Sequence, residues 1–404
     1  MDIIIRDILN KNDAKYSLQL NASLYLPRYK GGRGLKNFEM MYKKTRVKAA
    51  MNLLTGQDPR MLCVKEFDRN RMVKGKSSII NDAIRYAADD FKFTFEPLDS
   101  SFVVKGDEIN ETCKINDVKR ILKTREIDNL IKEINAPTWQ GIILKSRYND
   151  PELVNKAFTW LTHWKDCPVN TINEIQSIHL QTIPTLTFKK FRTENEITST
   201  ICRLCSTEAE SVKHLLSHCT FFLNGAYKRR HDKALQLILF HFLLKHNLIS
   251  SCPEWYSKIS IKPKYENDDI VLYWDIPEYS GYDDEVEEHV LRPDGKLLLK
   301  SEKRILILEM SVPWISNRAT KFEEKVNKYV EIVQRLKIDN PGWEVKQLTF
   351  IMDTLGGYSI DLITSLKSLN FSAIDIGKIL LKMQKIVLTE VTSIVKHFKI
   401  RTKR

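Results

Sequence analysis

The run ICRLCSTEAESVKHLLSHC sets Cys202, Cys205, His214 and Cys219 at the spacing C-x2-C-x8-H-x4-C. No other feature restricts the local fold as tightly, because three thiolates and one imidazole fill the tetrahedral shell of a structural zinc ion. The two-residue gap lets both sulfurs of a tight knuckle point at one ion, and the four-residue gap sets His214 and Cys219 about one helical turn apart. Leu215 and Leu216 between them are expected to pack beneath the metal. Ordinary buried thiols are the competing reading, and the spacing argues against it. Cys63, Cys113, Cys167 and Cys252 stand singly, without ligand spacing, and read as reduced core residues.

A chain of 404 residues exceeds the size at which one hydrophobic core keeps growing, so several domains are expected. A hydrophobic fraction of 43% excludes general disorder. The start lacks a basic leader, and no apolar run is long enough to cross a bilayer, so a soluble chain in a reducing compartment is expected, with no membrane partner. The net charge of +13, from 64 Lys and Arg against 51 Asp and Glu, favours polyanionic partners, nucleic acid first. Basic residues crowd three places: Arg28, Lys30, Arg33, Lys36, Lys43, Lys44, Arg46 and Lys48; then Lys228, Arg229 and Arg230; then Lys396, Lys399, Arg401, Lys403 and Arg404. An acidic run from Asp283 to Glu288 interrupts them. A solvated helix face accounts for any one cluster, whereas clusters on both sides of a zinc site point to a nucleic-acid track.

Hydrophobic periodicity predicts an all-α first region over 1–168, a linker with the zinc knuckle over 169–228, and a mixed α/β domain over 229–404. NFEMMYKKTRVKAAMNLLTG, SSIINDAIRYAADDFKF and KINDVKRILKTREIDNLIKEI read as helices, as does ELVNKAFTWLTHWK. Tyr86 to Asp90, YAADD, looks like a polymerase Tyr-x-Asp-Asp but carries one alanine too many and lies on a helical pattern. RRHDKALQLILFHFLLKHNLI predicts an apolar helix starting near Asp232. VLYWDI, HVLRPDGKLLLK, RILILEMSV and KQLTFIMDT, rich in Val, Ile and Leu, predict strands, with helices KFEEKVNKYVEIVQRLK, IDLITSLKSL and DIGKILLKMQKIVLTEVTSIVKHF between and after them.

In that last domain, Arg292-Pro293-Asp294 ends one extended segment and Glu309 lies inside the next. Two carboxylates brought together by adjacent strands are a usual means of holding Mg²⁺ against a phosphate. Asp294-Gly295 is equally a hairpin signal. Glu309, however, is the only charged residue from Ile305 to Trp314, and an isolated carboxylate in a buried strand needs a cation or a donor. The position two residues on, where a nuclease of the Pro-Asp…(Asp/Glu)-x-Lys type carries lysine, is Ser311. Lys325 and, one turn later, Tyr329 offer a substitute on the following helix, with Lys328 alongside. Such a lysine orients or deprotonates the attacking water.

LPRYKGGRGL at Leu26 to Leu35, the zinc run at Cys202 to Cys219, RRHDKALQLI at Arg229 to Ile238 and RPD…E…KVNKY at Arg292 to Tyr329 follow one another in an order that resembles site-specific non-LTR retrotransposon polyproteins carrying a restriction-like endonuclease. The resemblance covers nearly the whole chain and implies thumb and linker helices, a CCHC zinc knuckle and an endonuclease domain. It implies that Asp294 and Glu309 bind Mg²⁺, that Lys325 and Tyr329 join them in catalysis, and that Cys202, Cys205, His214 and Cys219 hold structural zinc. Arg28, Lys30, Arg33, Lys228, Arg229, Arg230 and Arg292 are then the nucleic-acid contacts. The expected activity is nicking of target DNA in the nucleus, whose freed 3′-hydroxyl primes copying of element RNA. The expected partners are DNA, that RNA and a separately encoded polymerase portion. Palm, fingers and N-terminal DNA-binding fingers do not appear in the sequence, so no polymerisation is expected from this chain alone. A catalytically decayed, transposon-derived zinc protein that still grips nucleic acid is the alternative.

Overall fold

The computed structural model describes residues 2–12, 15, 19–98, 101–106, 109–136, 139–154, 157–193, 197–279 and 290–402. The acidic run at 283–288 and the last two basic residues lie outside the described residues. The chain divides into two compact units, Met1–Ile142 and Ile143–Arg404. No helix among the described residues is long and apolar enough to cross a membrane.

The first unit holds helices α1 (Asp2–Lys11), α2 (Ala22–Tyr25), α3 (Phe38–Thr55), α4 (Pro59–Val73), α5 (Ile79–Asp89) and α6 (Ile115–Asn135). It is not all-α. Strands β1 (Phe93–Leu98), β2 (Ser101–Gly106) and β3 (Ile109–Cys113) form an antiparallel sheet in the order β1-β2-β3 between α5 and α6. The alternation of Phe91, Phe93 and Phe95 puts one aromatic face inward, where it meets Phe102, Val47, Ala83 and Leu122. The YAADD segment lies on α5 and at its C-terminal end, as helical periodicity predicts.

The second unit opens with α7 (Ile142–Tyr148), α8 (Thr159–His163), α9 (Val169–His179) and α10 (Leu186–Thr193). The division therefore falls well before 168. Trp160, Leu161 and Trp164 are buried against Ile175 and Leu388, so this stretch belongs to the second core. The expected long helix through ELVNKAFTWLTHWK shrinks to α8, and Val154 N instead donates to Tyr358 O at 3.0 Å. The zinc run supplies α11 (Val212–Ser217), and a π-helical turn over Leu223–Tyr227 leads directly into α12 (Lys228–Lys245). That turn carries the helix start back from the expected Asp232 to Lys228.

The main sheet follows: β4 (Lys264–Glu266), β5 (Ile270–Trp274), a small pair β6 (Glu278–Tyr279) and β7 (Val290–Leu291), then β8 (Gly295–Leu299) and β9 (Arg304–Ser311). Helices α13 (Arg318–Lys328) and α14 (Val330–Asp339) cross to β10 (Glu344–Ile351), and α15 (Ile360–Ser368) and α16 (Ala373–Arg401) end the chain. The sheet order is β10-β9-β8-β5-β4, with β9 and β10 parallel and the rest antiparallel. HVLRPDGKLLLK is thus two strands, because Val290 and Leu291 pair with β6 and only Gly295 to Leu299 join the main sheet.

Alternation along β9 sorts its side chains. Leu306, Leu308 and Met310 enter the large core made with α12, α15 and α16, whereas Ile307 packs against Tyr329 and Ile332 at the junction of α13 and α14. Glu309 shares the Ile307 parity and so falls on the α13 side.

His179, at the end of α9, is buried, with Phe158 edge-on at 5.9 Å between ring centroids. Burial, and then the nearby Arg147 charge, push its pKa down to about 3. The unfolded value is about 6.5, so the unfolded chain binds the extra proton below that pH, and stability falls by up to about 1.4 kcal/mol per pH unit as pH drops through that window. Urea unfolding followed through Trp160 and Trp164 should show this loss between neutral and mildly acidic pH. His179→Phe should flatten it, and an unchanged slope would refute this origin.

Candidate functional site

Two constellations lie side by side in the second unit. In the knuckle, the ligand atoms of Cys202, Cys205, His214 and Cys219 all lie within 4.8 Å of one another, so the cluster could hold a metal such as zinc. Cys202 Sγ and Cys219 Sγ are 3.9 Å apart, and Cys205 Sγ and His214 Nε2 are 3.2 Å apart. Two thiolates at about 2.3 Å from a tetrahedral ion stand about 3.8 Å apart, so the donors fit zinc. Ser211 caps α11 by accepting from His214 N at 3.1 Å, which sets the start of the short helix that carries the histidine. Glu208 Oε2, 3.1 Å from His214 Nδ1, fixes the tautomer that leaves Nε2 for the metal. Leu215 and Leu216 pack below with Val391, Ile394 and Phe398 of α16 and with Trp314 and Ile315 beyond β9.

The second constellation sits where β8 and β9 meet. Gly295 pairs with Leu308, which puts Asp294, one residue before β8, across from Glu309. Glu309 is 1% exposed; its Oε2 accepts from Asp294 N at 3.3 Å, and its Oε1 is ion-paired with Lys325 Nζ of α13. Asp294 Oδ2 accepts from Met310 N at 2.7 Å and lies 3.0 Å from His231 Nε2 of α12. His231 Nδ1 in turn meets Asp232 Oδ1 at 2.9 Å.

The electrostatics of the two acids diverge. Burial, reinforced by the Asp294 charge, pushes the Glu309 carboxyl above the usual range, with Lys325 and Lys328 opposing. For Asp294 burial also pushes upward, but the His231 hydrogen bond and charge and the Met310 amide outweigh it, and its carboxyl is held below the usual range. His231 is drawn down by burial and drawn up more strongly by Asp232 and Asp294, to about 10.

Asp294 opens onto a cleft of about 360 Å³ lined also by Lys228, His231, Asp232, Asp275 and Lys321. Glu309 and Lys325 do not line it. Lys325 reaches Glu309, whereas Lys328 donates to Tyr329 Oη at 2.9 Å. Tyr329 is fully buried and donates to Arg292 O at 2.9 Å, so it holds the turn before Asp294 and does not face the cleft.

The expected nucleic-acid residues separate into distinct groups. Lys228 is exposed at the cleft, and Arg292 is exposed with its Nε 3.7 Å from Asp275. Arg229 is tied to Glu390 at 2.7 Å. Arg230 is not a surface contact: it is 3% exposed, and its guanidinium donates to Leu216 O at 2.9 Å and Val312 O at 3.3 Å. In the first unit, Arg28 Nε donates to Arg33 O at 3.2 Å, and Arg28, Lys36, Lys44 and Lys123 line a hollow of about 490 Å³. Lys30 is half-buried, and burial first, then the Arg28 charge, bring Arg33 down to about 10. The glycines beside them have a packing role: a Cβ on Gly32 would lie 2.0 Å from Leu26 O.

Sequence spacing alone does not single out His231 and Asp232 as companions of Asp294. The available signal is the RRHD run at the start of an apolar helix, which places a histidine one turn ahead of the core face. Comparison with protein-family models finds no match, and neither does comparison with curated proteins.

His214→Ala or Cys202→Ser should reduce bound zinc from one ion per chain to none, measured by elemental analysis of the purified protein. Glu208→Gln keeps all four ligands and should weaken zinc by about tenfold in a chelator competition. Full zinc retention in His214→Ala would exclude this site.

Proposed function

We propose that this chain is the endonuclease portion of a non-LTR retrotransposon protein, nicking DNA by Mg²⁺-dependent phosphodiester hydrolysis. The observation that carries the reading is the group at the β8–β9 junction: a buried Glu309 across from Asp294, with a lysine supplied by the following helix. The element order supports it. A helix, α12, precedes the antiparallel run β5-β8-β9, and α13 and α14 lead to β10 parallel to β9, a mixed α/β order compatible with the proposed restriction-like layout.

The donor set fits Mg²⁺, which takes hard oxygen ligands from one or two carboxylates and otherwise keeps water. Asp294 and Glu309 would hold it, and the bound ion would neutralise charge on the phosphate and sharpen a coordinated water. His231 and Met310 N orient the Asp294 carboxylate, and Tyr329 holds the Arg292 carbonyl and with it the turn before Asp294. Lys325, once released from Glu309, presents its ammonium to the attacking water and the phosphate. The water oxygen bonds to phosphorus, the bond to the 3′ oxygen breaks, and that oxygen takes a proton to leave as the 3′-hydroxyl. Lys228, Lys321 and Arg292 at and beside the cleft supply phosphate contacts, and Arg28, Lys30 and Arg33 a separate basic surface in the first unit. Nuclear residence belongs to the same proposal.

One observation favours the alternative, a catalytically silent nucleic-acid-binding protein: each acid already has a cationic partner within the chain. Supercoiled plasmid incubated with the zinc-loaded chain and Mg²⁺ decides between them. Nicked circles should form with wild type and fall at least about a hundredfold with Asp294→Ala, Glu309→Gln or Lys325→Ala, the scale expected when a group that stabilises developing charge is removed. Equal background from wild type and Asp294→Ala would leave only the binding reading.

A further inference from the structure

Arg230 is an unusual buried charge. Its guanidinium is buried within the fold, its Nε has no hydrogen-bond partner among the described residues, and its acceptors are two backbone carbonyls. A buried cation without a hydrogen-bonded carboxylate is costly, and the Glu390 charge offsets only part of that cost, since burial still brings the guanidinium down to about 10. One acceptor, Leu216 O, belongs to the segment between the zinc ligands His214 and Cys219; the other, Val312 O, lies just beyond the end of β9. The guanidinium also sits over the Tyr227 ring at 5.1 Å.

Tyr227 extends this connection into the knuckle. Its hydroxyl donates to Leu215 O at 2.7 Å and accepts from Cys219 N at 3.2 Å, so it holds the backbone of the last ligand and of α11, the helix that carries His214. Residue 231, next in the chain, is the histidine against Asp294, whose Oδ2 in turn takes Met310 N. Three thiolates and a neutral imidazole around a divalent zinc leave one net negative charge. Tyr227 and Arg230 lie between that anionic centre and the cleft, so a zinc-loaded knuckle would add to the attraction that the Glu390 charge exerts on the buried guanidinium.

We infer that Tyr227 and Arg230 are positioning residues that tie the zinc knuckle to Asp294, so that zinc held in the knuckle sets the geometry of the acid in the cleft. The inference rests on the proposed nuclease reading only for its consequence on rate; the mechanical connection stands apart from it.

The test uses the zinc-loaded full chain and the variants Tyr227→Phe, which removes one oxygen, Arg230→Met and Arg230→Lys. Zinc release to a chromophoric chelator should be about tenfold faster in Tyr227→Phe and Arg230→Met. Arg230→Lys keeps the charge and should stay nearer wild type in zinc release. Its single ammonium cannot span both carbonyls, however, so the Met310 amide should lose hydrogen-exchange protection, as it should in the other two. In plasmid nicking, kcat should fall with KM for DNA unchanged. Wild-type zinc release in both Tyr227→Phe and Arg230→Met would overturn the inference. So would faster release with Met310 protection intact. If the wild-type chain does not nick at all, the nuclease reading fails while zinc release and Met310 exchange still decide this one.

Discussion

One register, Gly295 against Leu308 across β8 and β9, decides where the two acids Asp294 and Glu309 lie. Because side chains alternate along a strand, that pairing sends Leu306, Leu308 and Met310 into the core under α12 and α16 and leaves Glu309 with Ile307 on the α13 face. A slip of one residue would turn the carboxylate into the leucine core and expose a leucine to Lys325. The apolar core therefore enforces the position of the acid: several leucines and a methionine, each worth roughly 1.5–3 kcal/mol when buried, outweigh the cost of one carboxylate placed on the other face. Asp294, lying just outside β8, escapes strict alternation. It can reach both the Met310 amide and His231.

The helix that brings Lys325 to Glu309 is fixed at its start by a second buried cluster. Arg318, the first residue of α13, donates to Asp353 at 2.9 Å and to Ile315 O at 3.1 Å and pairs with Asp150. Asp353 also takes Arg147 at 3.0 Å and the amides of Leu355 and Gly357 at 2.9 Å. Buried ion pairs are weak sources of net stability, since desolvation offsets most of their attraction. Their geometric demand is strong, however, because every donor left unsatisfied carries its own cost. The network is best understood as setting the start and direction of α13 relative to the β9 and β10 ends. Lys321 and Lys325, one turn apart, then follow on the side of the cleft and of Glu309.

Local chemistry in the sequence is legible; burial is not. The four knuckle ligands are readable because metal geometry constrains spacing within a short run, and β9 is readable because an apolar stretch with one carboxylate fits a covered strand. The sheet over Phe93–Cys113 escapes a helical reading because its short strands lie between two strongly periodic helices, although the Phe91, Phe93, Phe95 alternation was present. Arg230 illustrates the harder case. In sequence it is one of three consecutive basic residues, and only the packing of the knuckle against the end of β9 separates it from its exposed neighbours Lys228 and Arg229. His231 and Asp232 gain their relation to Asp294 in the same way, through a contact spanning some sixty residues of chain that no local pattern encodes.

Under the nuclease proposal, charge balance at the β8–β9 junction would order the events that a divalent cation requires. As described, Asp294 faces His231 and Glu309 faces Lys325, so the two carboxylates are each matched by a basic group. A dication held between them adds charge that one of these groups must make room for. His231 is pinned at both nitrogens, by Asp232 on one side and by Asp294 and Met310 O on the other. Lys325 stands on a flexible four-carbon stem with a fifth of its side chain exposed. Under the nuclease proposal Lys325 is therefore the group that would have to move. On the same proposal α13 would supply the lysine that position 311 lacks, since a lysine mounted on α13 could leave the buried acid without disturbing the strand that carries it.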